Sequence, residues 1–380
     1  MKVLLTGGAG FIGSHLVDRL LEEGHTVRVL DALVPQVHPS GERPDYLAGD
    51  AELLVGDVAD RDAVALALEG VDIVVHLAAA VGVGQSMYEL ELYTRTNSLG
   101  TAIVLDEAVK RRDRIRKLLV ASSMSVYGEG QYTNEKTGER GLAPRPRPVE
   151  QLRRREWELR TAANDVLVPE PTSETKPLAP QSIYAIGKRD QEEMCLTIGA
   201  AYGIPTVALR FFSAYGPRQT LSNPYNGAVA IFATRLRNGR APFIFEDGEQ
   251  TRDFVHVRDV ARAMSAALSR PEADGRVVNV GSGEPVTIRE LAEAVASALG
   301  VAIAPEILGE FRPGDVRHCV ADLTLAADLL GFRPEIPLEA GLPEVVDWIG
   351  RAVPEDRSDS AFDELAERGL IVRRAAETAP

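Results

Sequence analysis

Cysteine is nearly absent: the 380 residues include two, Cys195 and Cys319. Two thiols cannot build a disulfide framework or a four-thiolate zinc site, and their scarcity fits a reducing compartment. No basic-then-apolar leader precedes the first strand-like segment, and no apolar run reaches the length needed to span a bilayer. A cytoplasmic protein without a membrane partner is therefore expected. Positive charge is in deficit, with a formal net charge of −14. That balance argues against nucleic acid as the main partner. It leaves room for an anionic small molecule, because a few arginines focused in a cleft can dominate the local potential. No internal repeat is visible. At 45% hydrophobic residues the chain can bury one large core, or a large and a small one.

What the chain does have is glycine in a telling place. The segment Lys2-Val-Leu-Leu-Thr6 runs into Gly7-Gly-Ala-Gly10-Phe-Ile-Gly13 and then into an amphipathic stretch ending near Glu23. Strand, glycine turn and helix in that order form a dinucleotide site. The glycines let the backbone turn sharply and approach a pyrophosphate, while the helix start offers free N–H groups. Gly7, Gly10, Phe11, Ile12 and Gly13 are thus expected to bind cofactor. A second strand, Thr26-Val-Arg-Val-Leu30, ends in Asp31, 18 residues after Gly13. This is near the offset of the acid that takes the adenosine ribose. A carboxylate there accepts from a 2′-OH and repels a 2′-phosphate, so NAD is expected rather than NADP. In a strand of period two, Arg28 does not share that face.

Strand-like segments over 52–56, 72–76 and 117–121 alternate with helix-like segments near 61–68 and 93–111. Apolar strands in a βαβ rhythm imply an α/β fold, a Rossmann-type doubly wound parallel sheet that binds ligands at the carboxyl ends of its strands. Asp57 and Val58, Leu77, Ala78 and Ala79, and Ser122 and Ser123 stand at those ends. From about 130 to 180 the rhythm stops in a stretch rich in Pro, Arg, Glu and Thr. It is expected to be an exposed, partly extended insertion with one short helix near 150–159. A helix over 184–202 and a strand over 206–210 complete a nucleotide domain spanning 1–215. Helices near 228–238, 259–269, 288–299 and 338–349, with strands near 243–245 and 277–280, are expected to form a smaller C-terminal α/β substrate lobe over 216–350, partly interleaved with the first domain. The polar residues 351–380 are expected to be a peripheral tail.

Tyr184 and Lys188 lie four residues apart, on one helix face. A free phenol, with pKa about 10, is a poor base at neutral pH, and a nearby ammonium favours the phenolate. Such a pair can take a proton from a substrate alcohol while hydride leaves the same carbon. By spacing alone it is ordinary. Placed after a dinucleotide strand set and Ser122-Ser123, it points to catalysis.

Gly7/Gly10/Gly13, Asp57-Val58, His76-Leu-Ala-Ala79, Ser122-Ser-Met-Ser-Val-Tyr-Gly128, Tyr184/Lys188, Arg210-Phe-Phe-Ser-Ala-Tyr-Gly-Pro-Arg218, Thr251-Arg-Asp-Phe-Val-His-Val257 and Arg312-Pro-Gly-Asp315 occur in order. Over roughly 1–349, apart from the insertion, the chain resembles the extended short-chain dehydrogenase/reductase family, and within it the nucleotide-sugar epimerases and dehydratases. The resemblance implies NAD, a dTDP- or UDP-linked sugar as substrate, and a homodimer. The dimer would use the helices near 93–111 and 184–202, with Met194, Leu196 and Ile198 as candidate contacts. It implies that Ser123 bonds the sugar oxygen and passes its proton to Tyr184, and that Lys188 also holds the nicotinamide ribose. Asp57 and Val58 would meet the adenine, with Leu77, Ala78, Ala79, Asn97, Ser122 and Phe211 around the cofactor. On the substrate side it implies Ser125, Ser213 and Arg218, a diphosphate clamp of Arg252 and Arg312, and Asp315 at the nucleotide ribose. Phe243 and Phe245 fall where relatives hold the pyrimidine, with lobe packing an equal alternative for each ring.

Departures narrow the expectation. Dehydratases of this family place Asp and Glu directly after the catalytic Thr or Ser, whereas this chain has Met124 and Ser125. Elimination then lacks an obvious proton donor and acceptor. Decarboxylases carry Glu at the Ser125 position and are disfavoured likewise. Ser213 replaces the usual Asn that touches the diphosphate. The insertion lacks the paired cysteines of similar epimerases, so no metal is expected. The resulting expectation is NAD-dependent epimerisation at C4 of a nucleotide hexose, with a dTDP-6-deoxyhexose of the rhamnose type favoured and a UDP-hexose or UDP-hexuronate next. A 4,6-dehydratase or 4-keto reductase is the alternative within the fold. A redox sensor that binds without turnover is the alternative outside it, and the presence of Ser123, Tyr184 and Lys188 together weighs against it.

Overall fold

A computed structural model describes residues 1–225, 227–351 and 355–373. Val3, Leu4 and Leu5 of β1 (Lys2–Thr6) are wholly buried, because that strand lies inside a sheet covered on both faces. The chain continues through α1 (Phe11–Glu22), β2 (Thr26–Asp31), β3 (Glu52–Val55), α2 (Arg61–Ala67), β4 (Ile73–His76), α3 (Leu90–Tyr93), α4 (Gly100–Val109) and β5 (Lys117–Ser123). The expected single helix over 93–111 is interrupted: Thr94–Leu99 forms a π-helical turn between α3 and α4.

The insertion is more ordered than its composition implies. It holds β6 (Gln131–Asn134), β7 (Glu139–Leu142), α5 (Val149–Arg153) and β8 (Val168–Glu170), and the three strands pair antiparallel around β6. The helix expected over 150–159 stops early, and Arg155 takes a left-handed φ of +60°. The chain turns there so that Trp157 packs edge-on to Phe311, with ring centroids 6.1 Å apart. Tyr132, Leu152, Leu159 and Leu167 are also buried, so the expected solvated excursion is instead a small packed unit.

Then come α6 (Ile183–Tyr202), β9 (Thr206–Phe211), β10 (Ser213–Tyr215), α7 (Ala228–Arg237), β11 (Phe243–Ile244), β12 (Thr251–His256), α8 (Val257–Ser269), β13 (Val277–Val280), β14 (Pro285–Thr287), α9 (Ile288–Leu299), β15 (Glu306–Ile307), β16 (His318–Cys319), α10 (Thr324–Leu330), α11 (Leu338–Gly350) and α12 (Ser358–Glu367). The main sheet has seven parallel strands in the order β13-β9-β5-β4-β1-β2-β3. Leu16 and Leu20 of α1, Met264 of α8 and Leu330 of α10 pack on one face. Val64 of α2, Val104 of α4 and Cys195 of α6 pack on the other. Two elements expected in the lobe therefore belong to this layer: β13 is the edge strand, and α8 covers the sheet beside α1. Met194, Leu196 and Ile198, expected at a dimer contact, pack against the α6-side core. The lobe proper is built around Phe232 of α7, Leu291 of α9 and Val345 of α11.

The tail is also less peripheral than expected. It carries α12, and Val372 pairs with Phe311 through two backbone hydrogen bonds of 2.9 and 3.3 Å. Residues 352–354 and 374–380 of that expected tail lie outside the described residues. Among the described residues no helix is long and apolar enough to cross a membrane.

Candidate active site

The glycine turn is built for close approach. Gly7 has φ +70°, and a Cβ on it would lie 2.8 Å from the Ala78 nitrogen; one on Gly13 would lie 2.6 Å from the Gly7 oxygen. At Gly10 the nearest atom would be 3.4 Å away, and α1 starts there without a side-chain cap. A helix N-terminus left uncapped above a glycine cradle suits a pyrophosphate, so these residues fit NAD. Ile12 packs on the sheet core, and Phe11 lies edge-on to His15. The Asp31 carboxylate closes the end of β2, accepting from the Ala9 and Leu33 N–H groups at 3.0 Å each. Arg28 is engaged elsewhere, with Glu52 at 2.9 Å and the carbonyls of Leu66, Ala67 and Glu69.

After β4 the Leu77 N–H donates to the Thr6 carbonyl and that of Ala78 to the Thr6 hydroxyl oxygen, and Ala79 follows in the same loop. Asn97, in the π turn, is fully buried; its Oδ1 accepts from the Ala80 N–H at 2.8 Å and its Nδ2 donates to the Ala80 carbonyl at 3.1 Å. The Asn97 side chain thus holds the loop that follows β4. Asp57 accepts from the Ala59 N–H at 2.8 Å, while Val58 and Phe211 are buried in the two cores beside the sheet.

Ser123 ends β5, and its Oγ accepts from the Ser125 hydroxyl at 3.0 Å and the Ser125 N–H at 3.2 Å. Tyr184 sits in the first turn of α6, whose start is fixed by the Ser182 hydroxyl accepting from the Ala185 N–H at 3.1 Å. Burial pushes the Tyr184 phenol above its usual pKa, and the bond from Ser123 works the other way. Lys188, one turn on, is buried and donates to the Ala121 carbonyl at 3.0 Å. Burial pushes its ammonium down to about 8. In the NAD-free chain burial of the Tyr184 phenol outweighs the lowering by Ser123, and the Lys188 ammonium is bound to the Ala121 carbonyl. Ser122 alternates to the opposite side of the strand. Its hydroxyl donates to Glu192 at 2.6 Å, and Glu192 is held by Arg210 at 2.5 and 2.9 Å, so the Ser122 side chain is a buried brace between β5 and α6.

On the lobe side the structure brings Arg252, Arg312 and Asp315 together. Arg312 donates to Asp315 at 2.6 and 3.1 Å, and Arg252 lies 3.6 Å from the same carboxylate while donating to the Val316 and Arg317 carbonyls. Burial opposes the charge on Asp315, but Arg312 and Arg252 hold its pKa below the usual range. Phe243 and Phe245 meet edge-on at 6.2 Å, and the Arg312 guanidinium lies 4.9 Å over the Phe245 ring. Ser213 is half-buried in β10, in register with Phe254. Arg218 departs from the expected cluster: with φ +68° it pairs with Asp18 of α1 at 2.7 Å and lies over Tyr46.

The sequence model of the NAD dependent epimerase/dehydratase family matches residues 3–147 and 162–281. The chain belongs to this family. A dTDP-L-rhamnose 4-epimerase from Burkholderia thailandensis is 36% identical over 352 residues, covering 92% of this chain and 95% of that protein. The solved UDP-glucose 4-epimerase of Thermus thermophilus in complex with NAD is 32% identical, with a TM-score of 0.73, covering 93% of this chain and 100% of that one. A dTDP-glucose 4,6-dehydratase from Streptomyces niveus is 28% identical, covering 92% of each chain. NAD is the cofactor of this epimerase/dehydratase family member, in keeping with the glycine cradle and Asp31.

Sequence reasoning missed the wall behind the arginine pair. Glu246, buried with φ +56°, receives Arg147 through two hydrogen bonds of 2.8 and 2.9 Å and Arg317 at 3.1 Å. Arg147 also donates to the Asp315 carbonyl at 2.9 Å, so the insertion props the segment carrying Arg312 and Asp315. Arg317 in turn binds Glu158 at 2.6 Å. The Pro-Arg-Pro stretch around Arg147 signalled an extended backbone, but nothing local marked one arginine as buried.

Proposed function

We propose that this family member is an NAD-dependent 4-epimerase of nucleotide-diphosphate hexoses, acting in the cytoplasm as a homodimer. The observation that carries this reading is the neighbourhood of Ser123: its hydroxyl meets the Tyr184 phenol, Lys188 lies one turn further along α6, and the two residues after Ser123 are Met124 and Ser125 rather than carboxylates. Proton transfer to and from one alcohol is provided for; removal of water is not.

Gly7, Gly10, Gly13 and Asp31, with the backbone of Leu77, Ala78 and Ala79, would hold NAD. When bound, NAD supplies a reversible hydride acceptor and a cationic ring beside the phenol. Ser123 already accepts two hydrogen bonds from Ser125, so its own proton is left to donate, to Tyr184 or to the sugar O4. Tyr184 takes the O4 proton, directly or through Ser123, and returns it once the transient 4-keto sugar has turned its other face. Arg252 and Arg312 suit a diphosphate, and Asp315 a ribose hydroxyl. A dTDP-6-deoxyhexose of the rhamnose type is the favoured substrate, supported by the 36% identical relative, with UDP-hexoses next.

Incubation with a panel of dTDP- and UDP-hexoses, followed by NMR at C4, tests the reading. Inversion at C4 in at least one sugar is expected, and inactivity across the panel despite bound NAD would favour the sensor reading. The dimer reading draws on Leu90, Leu92 and Leu99, and on Ile186 of α6, which remain 49, 44, 50 and 43% exposed. Sedimentation should give twice the chain mass at micromolar concentration.

A further inference from the structure

The C-terminal helix closes on the aromatic pair of the lobe. Phe362 of α12 stacks on Phe245, with centroids 5.8 Å apart and planes 17° from parallel, and meets Phe243 edge-on at 5.4 Å. All three rings remain half-buried, so this is an open aromatic box rather than core. It adjoins Arg312, whose guanidinium covers Phe245 and whose N–H groups hold Asp315. The helix is pinned at both ends of its reach. Asp359 receives Arg235, the same guanidinium that lies 4.4 Å over Phe243. On the other wall Glu364 accepts from the Tyr88 and Tyr225 hydroxyls at 3.1 and 3.3 Å, and Leu365 covers Gly84 in the segment beyond β4. The helix therefore spans from the lobe to the carboxyl edge of the main sheet.

We propose that Phe362 is a substrate-binding residue, forming the second wall of the nucleobase site so that the base lies between its ring and Phe245. This rests on the reading that the substrate is a nucleoside-diphosphate sugar whose base meets Phe243 and Phe245. An aromatic ring with both faces covered by carbon needs about 7 Å between its neighbours, two van der Waals separations. The ring pair is closed at 5.8 Å, so base entry displaces α12 outward. That displacement breaks side-chain hydrogen bonds and ion pairs, the edge contact of Phe362 with Phe243 and part of the packing of the buried Ala361 and Leu365, and in return the base gains two stacks, on Phe362 and on Phe245.

The experiment uses the full-length, NAD-loaded protein and measures dissociation constants for dTDP and UDP alone, by calorimetry, with KM for the active sugar in parallel. Phe362→Ala and Phe362→Leu should each weaken nucleoside-diphosphate binding by roughly 5- to 100-fold, as removal of one base–aromatic stack does. Phe362→Tyr should restore it to within about threefold, and NAD content should not change. Leu keeps apolar bulk for packing, so its agreement with Ala separates lost stacking from a loosened helix. If both variants bind dTDP and UDP as well as the parent, or more tightly, while Phe245→Ala weakens binding, Phe362 only caps the ring and the proposal is overturned. If Phe245→Ala also leaves binding unchanged, the underlying base-site reading falls with it.

Discussion

The Ser125 hydroxyl donates to the Ser123 hydroxyl oxygen at 3.0 Å, and the Ser125 N–H donates to the same oxygen at 3.2 Å. Both lone-pair directions of Ser123 are thereby used, which fixes its remaining proton as a donor. Ser123→Ala should lower turnover by roughly 10²–10⁴-fold, the usual loss for one positioned proton-transfer group. Tyr184→Phe should lose more than that, because no other group there can take the proton, while bound NAD persists in both variants. Turnover numbers with NAD content from the same preparations decide this; a Tyr184→Phe enzyme within tenfold of the parent would contradict it.

Lys188 makes the NAD-free protein less stable than it could be. Its pKa is usually 10.5 and is lowered to about 8 by burial in the folded chain. Between those values the unfolded chain binds more protons, so stability rises with pH across that window; below about 8 the penalty is fully present. Lys188→Met without cofactor should therefore unfold at higher denaturant than the parent at pH 7, with the gap narrowing from pH 8 towards 10.5. A gap independent of pH would mean that the ammonium is not the cause.

Arg147 and Glu246 are a buried pair joining the insertion to the lobe. Arg147→Met leaves Glu246 with Arg317 as its remaining partner and should destabilise by about 3–5 kcal/mol, the range for removing one half of a buried pair. Adding Glu246→Gly removes the half-paired carboxylate, though not Glu129, 3.7 Å from Arg147, and suits the φ of +56°, so the double variant should recover part of the loss. Denaturant midpoints for the four proteins of the cycle test this.

Asp31 braces the glycine turn through the Ala9 N–H, while its other carboxylate oxygen accepts from the Leu33 N–H. Asp31→Ser should narrow the preference for NAD over NADP and also weaken NAD itself, as the turn loses a charged acceptor. Titration of both cofactors checks the two effects separately.

The glycine turn, Asp31 and the Tyr184/Lys188 pair were legible because each is local: a strand, a turn or one helical repeat places them. The placement of β13 was not, since pairing with β9 is set by topology and both candidate sites for such a strand look alike in sequence. The π turn around Asn97 was not legible either, because it carries the same apolar pattern as an α-helix. Ser122 and Ser123 differ only by strand alternation, and which face meets Glu192 depends on α6. Arg147 and Phe362 were invisible for the same reason: their partners, Glu246 and Phe245, lie about a hundred residues away.

Epimerisation at C4 moves a hydride on the carbon and a proton on its oxygen and eliminates nothing. The direct measurement is mass spectrometry and NMR of the product formed from a dTDP- or UDP-hexose in D2O. The account predicts a product of the substrate's mass, inverted at C4 and without deuterium on carbon. A product lighter by one water, formed as fast as any epimer and labelled on the sugar carbons, would contradict it.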